Sequence, residues 1–327
     1  MFRKFAVFGA ITWIGKHCAT LPALTRRWVH PTSIMDSELT LPLDVLLHII
    51  ELLAAVRNDR DSIKSLQIIS RTCKFMVPIC RKHLFSSLCL VSDSALVERL
   101  GDILSKNPDI ARYVRCLKYI MFNPIRDHEL NILNMLKEQS SLRSIELLSL
   151  RLDWNSFPES IRSSLVSLIQ LPTVTRLNIN SFTRFPATAL SGCINLIYLE
   201  FENLELTLPD SDFNHVISRS KIPTPGFLNI KATPGFAALL NSASLHAGAS
   251  GPINFSRVQN AYFEVDSQGV IDDINKLIKM SSRLQKIDIT SEWLELFKVL
   301  PLRNFDRKIL CSASSFRVGG AGRKPRD

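Results

Sequence analysis

The sequence feature that most constrains the fold is a short pattern, apolar-x-x-apolar-x-apolar, which recurs along the chain after residue 100. The last two apolar positions lie two residues apart, the spacing of side chains that point to the same face of a β-strand. Each occurrence therefore predicts a short strand with one buried face. The apolar triplets are Val114/Leu117/Tyr119, Leu142/Ile145/Leu147, Val174/Leu177/Ile179, Leu196/Leu199/Phe201, Pro225/Leu228/Ile230, Val258/Ala261/Phe263 and Leu284/Ile287/Ile289.

The intervals between these strands are long enough for helices. Successive triplets begin 22 to 33 residues apart, and residues 127–139, 158–170 and 267–280 carry apolar side chains at helical spacing. A strand and a helix that repeat at this interval resemble the leucine-rich-repeat family. We therefore expect an α/β fold with an irregular leucine-rich-repeat-like solenoid of strands and helices over residues 91–300. The Pro- and Gly-rich unit at 203–255 is either a repeat or an insertion.

The resemblance to leucine-rich repeats implies a partner-binding surface on the open face of the strands. Side chains that alternate with the inward ones would form that face. Acidic residues are frequent among them, so we expect a partner with a basic surface. For any single position, a solvated strand face is the simpler interpretation. The target-binding residues predicted in this way are Lys118, Glu146, Asn178, Glu200, Glu202, Glu264 and Asp288.

Apolar helical sequence precedes the strands. Residues 41–53 predict a helix with Pro42 in its first turn, where a missing N–H is tolerated, and Asp44 near its positive end. Because apolar side chains cover more than one side of this helix, it needs burial on two sides. Two further short helices follow, up to Leu88. A module of this size hides only about 60% of its surface alone, which leaves apolar surface for a partner.

Residues 36–90 carry several motifs in a fixed order. They are Leu41-Pro42-x-Asp44-x-Leu46-x-x-Ile49-Ile50, a second helix led by Leu66, Thr72-Cys73-Lys74-Phe75, and Cys80-Arg81-Lys82-His83-Leu84-Phe85. Together these motifs resemble the F-box, and the last resembles the helix end of fungal F-box proteins. The resemblance implies an N-terminal three-helix F-box-like module over residues 36–90. The insertion at 56–62 is longer than in the family, and Phe75 stands where the family has Trp.

The same resemblance implies a partner and the side chains that bind it. An F-box docks on a Skp adaptor protein and, through it, on a cullin. Each fully buried aliphatic side chain contributes roughly 1.5 to 3 kcal/mol, so four or five anchors suffice for a stable heterodimer. The alternative is an ordinary helical cap whose leucines face the strands that follow. The adaptor-binding residues implied are Leu41, Pro42, Leu46, Ile49, Ile50, Leu66, Ile69 and Cys73.

The net charge of +10 suggests nucleic-acid binding until its distribution is considered. Residues 1–35 hold five basic side chains and no acid, and residues 301–327 hold seven basic and two acidic ones. Subtracting both segments from the totals of 40 and 30 leaves 28 basic and 28 acidic residues between them. Nucleic-acid surfaces need cations clustered on a folded face. We therefore expect no nucleic-acid partner and a disordered basic tail at 301–327.

Residues 1–34 form a basic extension whose status is open. The apolar stretch 5–14 lies between basic residues, which is typical of a signal peptide or a mitochondrial presequence. Met35 lies directly before the first acid of the chain and is an alternative start. The longest apolar runs are shorter than the roughly 18 residues of a spanning helix, so we expect no membrane partner.

Catalytic and metal-binding patterns are missing from the sequence. The chain has no Walker loop, Rossmann glycine fingerprint, G-x-S-x-G or H-E-x-x-H, so we expect neither an enzyme nor a cofactor. Its seven cysteines include no C-x-x-C pair, which favours reduced thiols in the cytosol or nucleus. Cys73, Cys80, His83 and Cys89 lack the paired spacing of a structural zinc site, so we expect no metal.

These features together predict a substrate-receptor subunit of a Skp/cullin/F-box ubiquitin ligase. The chain would be a monomer within that hetero-complex, in the cytoplasm or nucleus. One alternative is a leucine-rich-repeat scaffold that binds a protein without a ligase, with mitochondria as its compartment if residues 1–34 are retained. A further alternative is RNA binding through the two basic tails.

Overall fold

The computed structural model describes most of the chain between residues 43 and 291. The described ranges are 43–55, 60–72, 74–92, 95–122, 127–208, 222–245, 251–265 and 267–291. The predictions for residues 1–34, residues 301–327, Leu41, Pro42 and Cys73 lie outside the described residues.

Three helices open the described chain: α1 (Leu43–Ala55), α2 (Arg60–Thr72) and α3 (Met76–Leu84). They pack around an apolar cluster of Ile50, Leu66, Met76 and Cys80, each at most 5% exposed. Charged residues lie where they stabilise the helix dipoles: Asp44 is in the first turn of α1, and basic residues occupy the last turn of α3. The predicted three helices are therefore present with a small core of their own.

Ten strands follow in the described ranges, in two parallel sheets. They are β1 (Ser87–Val91), β2 (Cys116–Ile120), β3 (Ser144–Asp153), β4 (Arg176–Thr183), β5 (Phe185–Pro186), β6 (Tyr198–Glu202), β7 (Leu206–Thr207), β8 (Phe227–Lys231), β9 (Asn260–Val265) and β10 (Lys286–Ser291). The large sheet has the order β1-β2-β3-β4-β6-β8-β9-β10, and β5 pairs with β7.

Helices lie in most of the intervals between these strands. They are α4 (Ala95–Lys106), α5 (Asp127–Gln139), α6 (Glu159–Ile169), α7 (Phe236–Leu245) and α8 (Gln268–Met280). Short 3-10 turns occupy residues 108–113, 154–156, 187–190 and 255–257. The three helices expected from apolar spacing after residue 100 are thus present within one residue of their predicted ends.

The predicted architecture is wrong, although its α/β class is confirmed. Eight of the ten described strands, all except β5 and β7, build one parallel sheet, a Rossmann-like α/β core. An F-box-like helical module followed by a leucine-rich-repeat solenoid is not the arrangement found. Among the described strands the order does not reverse, so the sheet lacks the switch point of a doubly wound sheet.

The sequence could not separate these architectures, for two physical reasons. A strand and a helix in about 30 residues also make one βαβ step, so the interval does not reveal how the strands join. In addition, β1 lies inside the predicted helical module, yet Leu88 pairs in register with Leu117 of β2. The buried sheet thus begins before the predicted boundary at residue 90.

The chain divides into two compact units. Unit 1 contains the described residues up to Leu150 together with Phe157–Thr173, and unit 2 contains Arg151–Ser156 and the described residues from Val174 onward. The predicted boundaries at 36–90 and 91–300 stay predictions. In both units the inward residues of the predicted triplets are buried, as Leu117 and Tyr119 show in unit 1 and Leu199 and Phe201 in unit 2.

A polar network lies inside unit 1. Glu129 on α5 is 1% exposed and accepts hydrogen bonds from the hydroxyls of Ser92, at 2.6 Å, and Tyr119. Burial, and then the Glu129 carboxylate, raise the pKa of Tyr119 well above its usual value. Both hydroxyls therefore stay protonated and serve as donors to the buried carboxylate.

Aromatic side chains form part of the core of unit 2. The rings of Trp154 and Phe185 meet edge to face at 4.8 Å, and Phe182 lies 5.9 Å from Trp154. Phe236 of α7 contacts Phe255 at 5.9 Å and Phe263 of β9 at 6.1 Å. Edge-to-face pairs of this kind add about 0.5 to 1.5 kcal/mol beyond the burial of their area.

We expect Tyr119→Phe to lower the free energy of unfolding by about 1 to 3 kcal/mol, because it removes one donor from a buried carboxylate. Urea unfolding followed by circular dichroism measures this loss. Tyr113→Phe is the matched control, since Tyr113 is a half-buried tyrosine of unit 1 outside the network. Equal losses for the two variants would contradict the role given to the Tyr119 hydroxyl.

Candidate functional site

An exposed apolar stripe runs along α1 in unit 1. Val45, Ile49 and Leu52 are 41%, 37% and 56% exposed. Because they are four and three residues apart, they lie on one side of the helix. The adjoining side, which carries Ile50 with the partly buried Leu46, packs on the apolar cluster of the three helices. We call Val45, Ile49 and Leu52 the apolar stripe.

The predicted adaptor-binding residues are split between this surface and the core. Ile49 is exposed, whereas Ile50 and Leu66 are buried in the cluster. Leu46 and Ile69 are partly buried against it. The prediction missed Val45 and Leu52, although their spacing from Ile49 would have revealed the shared side. Other exposed apolar side chains of these helices and their connection are Leu43, Ile68 and Phe75.

Two of the predicted target-binding residues lie side by side in unit 1. Lys118 of β2 is in register with Glu146 of β3, and its ammonium lies 2.5 Å from the Glu146 carboxylate. Each side chain is about one third exposed, at 37% and 34%. Partial exposure keeps the contribution of such a pair small, at roughly 0 to 1 kcal/mol.

The other predicted residues form rows across the strands of unit 2, and we call this surface the polar face. The register of β4, β6, β8, β9 and β10 aligns side chains from successive strands in three rows. The first row is Arg176, Tyr198, Phe227, Asn260 and Lys286. The middle row is Asn178, Glu200, Asn229, Tyr262 and Asp288, and the end row is Asn180, Glu202, Lys231, Glu264 and Thr290.

Lys231 of the polar face lies close to two carboxylates. Its ammonium lies 3.5 Å from the Glu200 carboxylate and 3.9 Å from that of Glu202. Burial lowers the pKa of Lys231, but Glu202 and Glu200 outweigh this, so its pKa is raised overall. Glu200, only 9% exposed, also accepts hydrogen bonds from the amide of Asn229 at 2.7 Å and the hydroxyl of Tyr198 at 3.2 Å.

The polar face is less acidic than the sequence suggested. Lys231 offsets part of the charge of Glu200 and Glu202, and Lys286 lies 2.6 Å from Asp288. Arg176, in the first row, is a third cation of the polar face. The outward residues of β8 were missed; its triplet, which begins with Pro225, is one of the two weak ones. Applying the alternation rule to that triplet would have found Asn229 and Lys231.

An aromatic stack occupies the first row of the polar face. The rings of Tyr198 and Phe227 lie parallel, 4.3 Å apart with an interplanar angle of 11°. The Arg176 guanidinium carbon lies 4.0 Å from the centre of the Tyr198 ring, as in a cation–π contact. Tyr and Arg are enriched among residues that carry binding energy in protein interfaces. This row therefore suits contact with a protein.

A cleft of about 540 Å³ lies beyond the carboxyl ends of strands in unit 2. Four of its lining residues, Arg151, Asn203, Ala232 and Gly235, have positive φ angles. At Gly235 a Cβ atom would lie 3.0 Å from the carbonyl oxygen of Leu206, so glycine permits both the backbone angle and the close approach. The volume is within the range of ligand pockets.

Two classes of site are not found among the residues that the structure describes. No three His, Cys, Asp or Glu side chains there come together as a metal-binding group. None of the helices in those ranges has the length and apolar content needed to cross a membrane.

We expect Lys231→Met to lower the free energy of unfolding by about 1 to 3 kcal/mol, because the nearly buried Glu200 loses its compensating cation. Lys286→Met is the control: the Lys286 side chain is 48% exposed, and its loss should cost less than about 1 kcal/mol. Urea unfolding of both variants tests this difference. A loss at Lys286 as large as that at Lys231 would show that Lys231 has no special role.

Comparison with known proteins gives no relative for these surfaces. No family model, no curated protein and no solved structure matches the chain.

Proposed function

We propose that the chain is a substrate-receptor subunit of a Skp/cullin/F-box ubiquitin ligase. Helices α1 to α3 would dock a Skp adaptor protein and, through it, a cullin. The polar face of unit 2 would hold the target protein. The observation that carries the proposal is the apolar stripe, because three aliphatic side chains on one side of a helix remain open to solvent.

The size of the stripe decides what kind of interface it can support. With roughly half of each side chain exposed, complete burial would contribute about 1 kcal/mol for each of the three residues. Association costs at least about 4 kcal/mol, so the stripe alone would not hold a partner. It would serve as the central anchor of a larger interface, with Ile68 and Phe75 as further apolar contacts that are 62% and 53% exposed.

The motif order supports an adaptor of the Skp type over other apolar partners. Ile49, which the F-box resemblance assigns to adaptor binding, belongs to the exposed stripe. Ile50 and Leu66 would instead support the docking surface from beneath, because they form the cluster on which α1 rests. The adaptor contacts are thus shifted by part of a helical turn from those first expected.

The proposed mechanism is proximity. The chain would hold a target close to the catalytic subunits of the ligase and raise the effective concentration of a substrate lysine there. It needs no catalytic residue or cofactor of its own for this role. We place this activity in the cytoplasm or nucleus, with the chain as one copy within the hetero-complex and without nucleic-acid or membrane partners.

Charge substitution in the stripe tests the adaptor interface. We expect the double variant Val45→Asp/Leu52→Asp to lose copurification of a Skp adaptor by at least about 100-fold, because each carboxylate would be buried unpaired. The measurement is quantitative mass spectrometry of affinity-purified full-length protein. Both side chains are exposed, so the urea midpoint should change little.

Ile197→Asp is the matched control, because Ile197 is 60% exposed and belongs to unit 2. It should leave adaptor copurification unchanged. Undiminished adaptor binding by the double variant would refute the docking assignment. Wild-type protein that captures no Skp adaptor or cullin would instead favour a protein-binding scaffold without a ligase.

A further inference from the structure

Several residues that line the cleft of unit 2 follow the end row of the polar face in the chain. Asn203 follows Glu202 of the end row, and Ala232 follows Lys231. Ser267 comes shortly after Glu264, across the end of β9. A protein segment that crosses the end row would therefore pass close to the cleft.

Two carboxylates contribute to the cleft lining, and they differ in exposure. Asp273 of α8 is 8% exposed, whereas Glu205 is open to solvent. The ion pair that Asp273 makes is with Lys276, at 4.0 Å, and the Lys276 side chain is 44% exposed. A pair this long and this exposed compensates a buried carboxylate weakly. Burial accordingly raises the pKa of Asp273.

The remaining polar lining can also supply hydrogen-bond acceptors. Thr183, Thr233, Ser267 and Asn203 line the cleft, and their hydroxyl and amide oxygens can accept hydrogen bonds. Arg151 is the one cation among the lining residues, against the two carboxylates. An arginine side chain has five N–H donors in a planar fork and no acceptor, which matches a site of carboxylates and hydroxyl oxygens.

We propose that the cleft is an anchor pocket for an arginine side chain of the protein bound on the polar face. The guanidinium would lie between the carboxylates of Asp273 and Glu205, and the segment that carries it would run along the end row. This inference rests on the proposed function only in that the target is a protein held by unit 2. It adds the chemistry by which that target is selected.

Direct peptide binding tests the pocket. The probes are a fluorescently labelled nonapeptide with a central arginine among glycine and serine residues, and the same peptide with citrulline in its place. Citrulline keeps the shape of arginine and lacks its charge. We expect the arginine peptide to bind the full-length chain at least about tenfold more tightly in fluorescence anisotropy. Equal binding of the two peptides would overturn the proposal.

Three substitutions locate the binding site. Asp273→Asn and Glu205→Gln should each weaken the arginine peptide by about tenfold, because each removes one carboxylate from the cleft. Arg151→Met should strengthen its binding, since it removes the resident cation. Asp272→Asn is the matched control: Asp272 is the exposed neighbour of Asp273 on α8 and does not line the cleft.

Each outcome has a defined meaning. Equal binding of the arginine peptide by the wild type and all the variants would overturn the pocket. Glu205 is exposed, so its substitution remains informative even where Asp273→Asn alters stability. Adaptor copurification reports on the apolar stripe of unit 1, so the pocket and the ligase assignment fail independently.

Discussion

The alternation of buried and open side chains along parallel strands is the constraint on which the rest of the structure depends. Backbone hydrogen bonds fix the register, and the register then decides which residues become neighbours. In unit 2, Leu199 is paired with Leu228 on the buried side, and one residue later Glu200 is paired with Asn229 on the open side. A shift of one residue would exchange the two faces. The strand register therefore determines both the packing of the core and the composition of the polar face.

The sequence was informative wherever this alternation was strong. The inward residues of the strands and the helices at 127–139 and 268–280 follow from apolar spacing alone. It failed for β1, because five residues between a helix and a polar turn carry too little pattern to separate a strand from a helix end. The sequence also failed to predict the architecture, since local periodicity contains no information on which strands share a sheet. The arrangement of the strands depends on tertiary pairing.

The candidate surfaces show the same division between local and tertiary information. Alternation located Glu200 and Glu202 on the open face, but Lys231, which pairs with both, comes from another strand. Because of this pairing across strands, part of the negative charge of the surface is compensated by Lys231. On α1, composition showed an excess of apolar residues but not which of them are buried and which are exposed. Packing against α2 and α3 determines that Ile50 faces inward and Leu52 outward.

The monotonic strand order has a consequence for how unit 2 acquires its structure. Register partners in β6, β8, β9 and β10, such as Leu199, Leu228, Ala261 and Ile287, are 29, 33 and 26 residues apart. Loop-closure entropy depends only weakly on such differences in length, so every pairing step has a similar cost. The sheet can extend from any early pair by adding its chain neighbour, and no late step has to join distant segments. The sheet would therefore form by stepwise addition of strands, and each exposed edge would be covered when the next strand pairs with it.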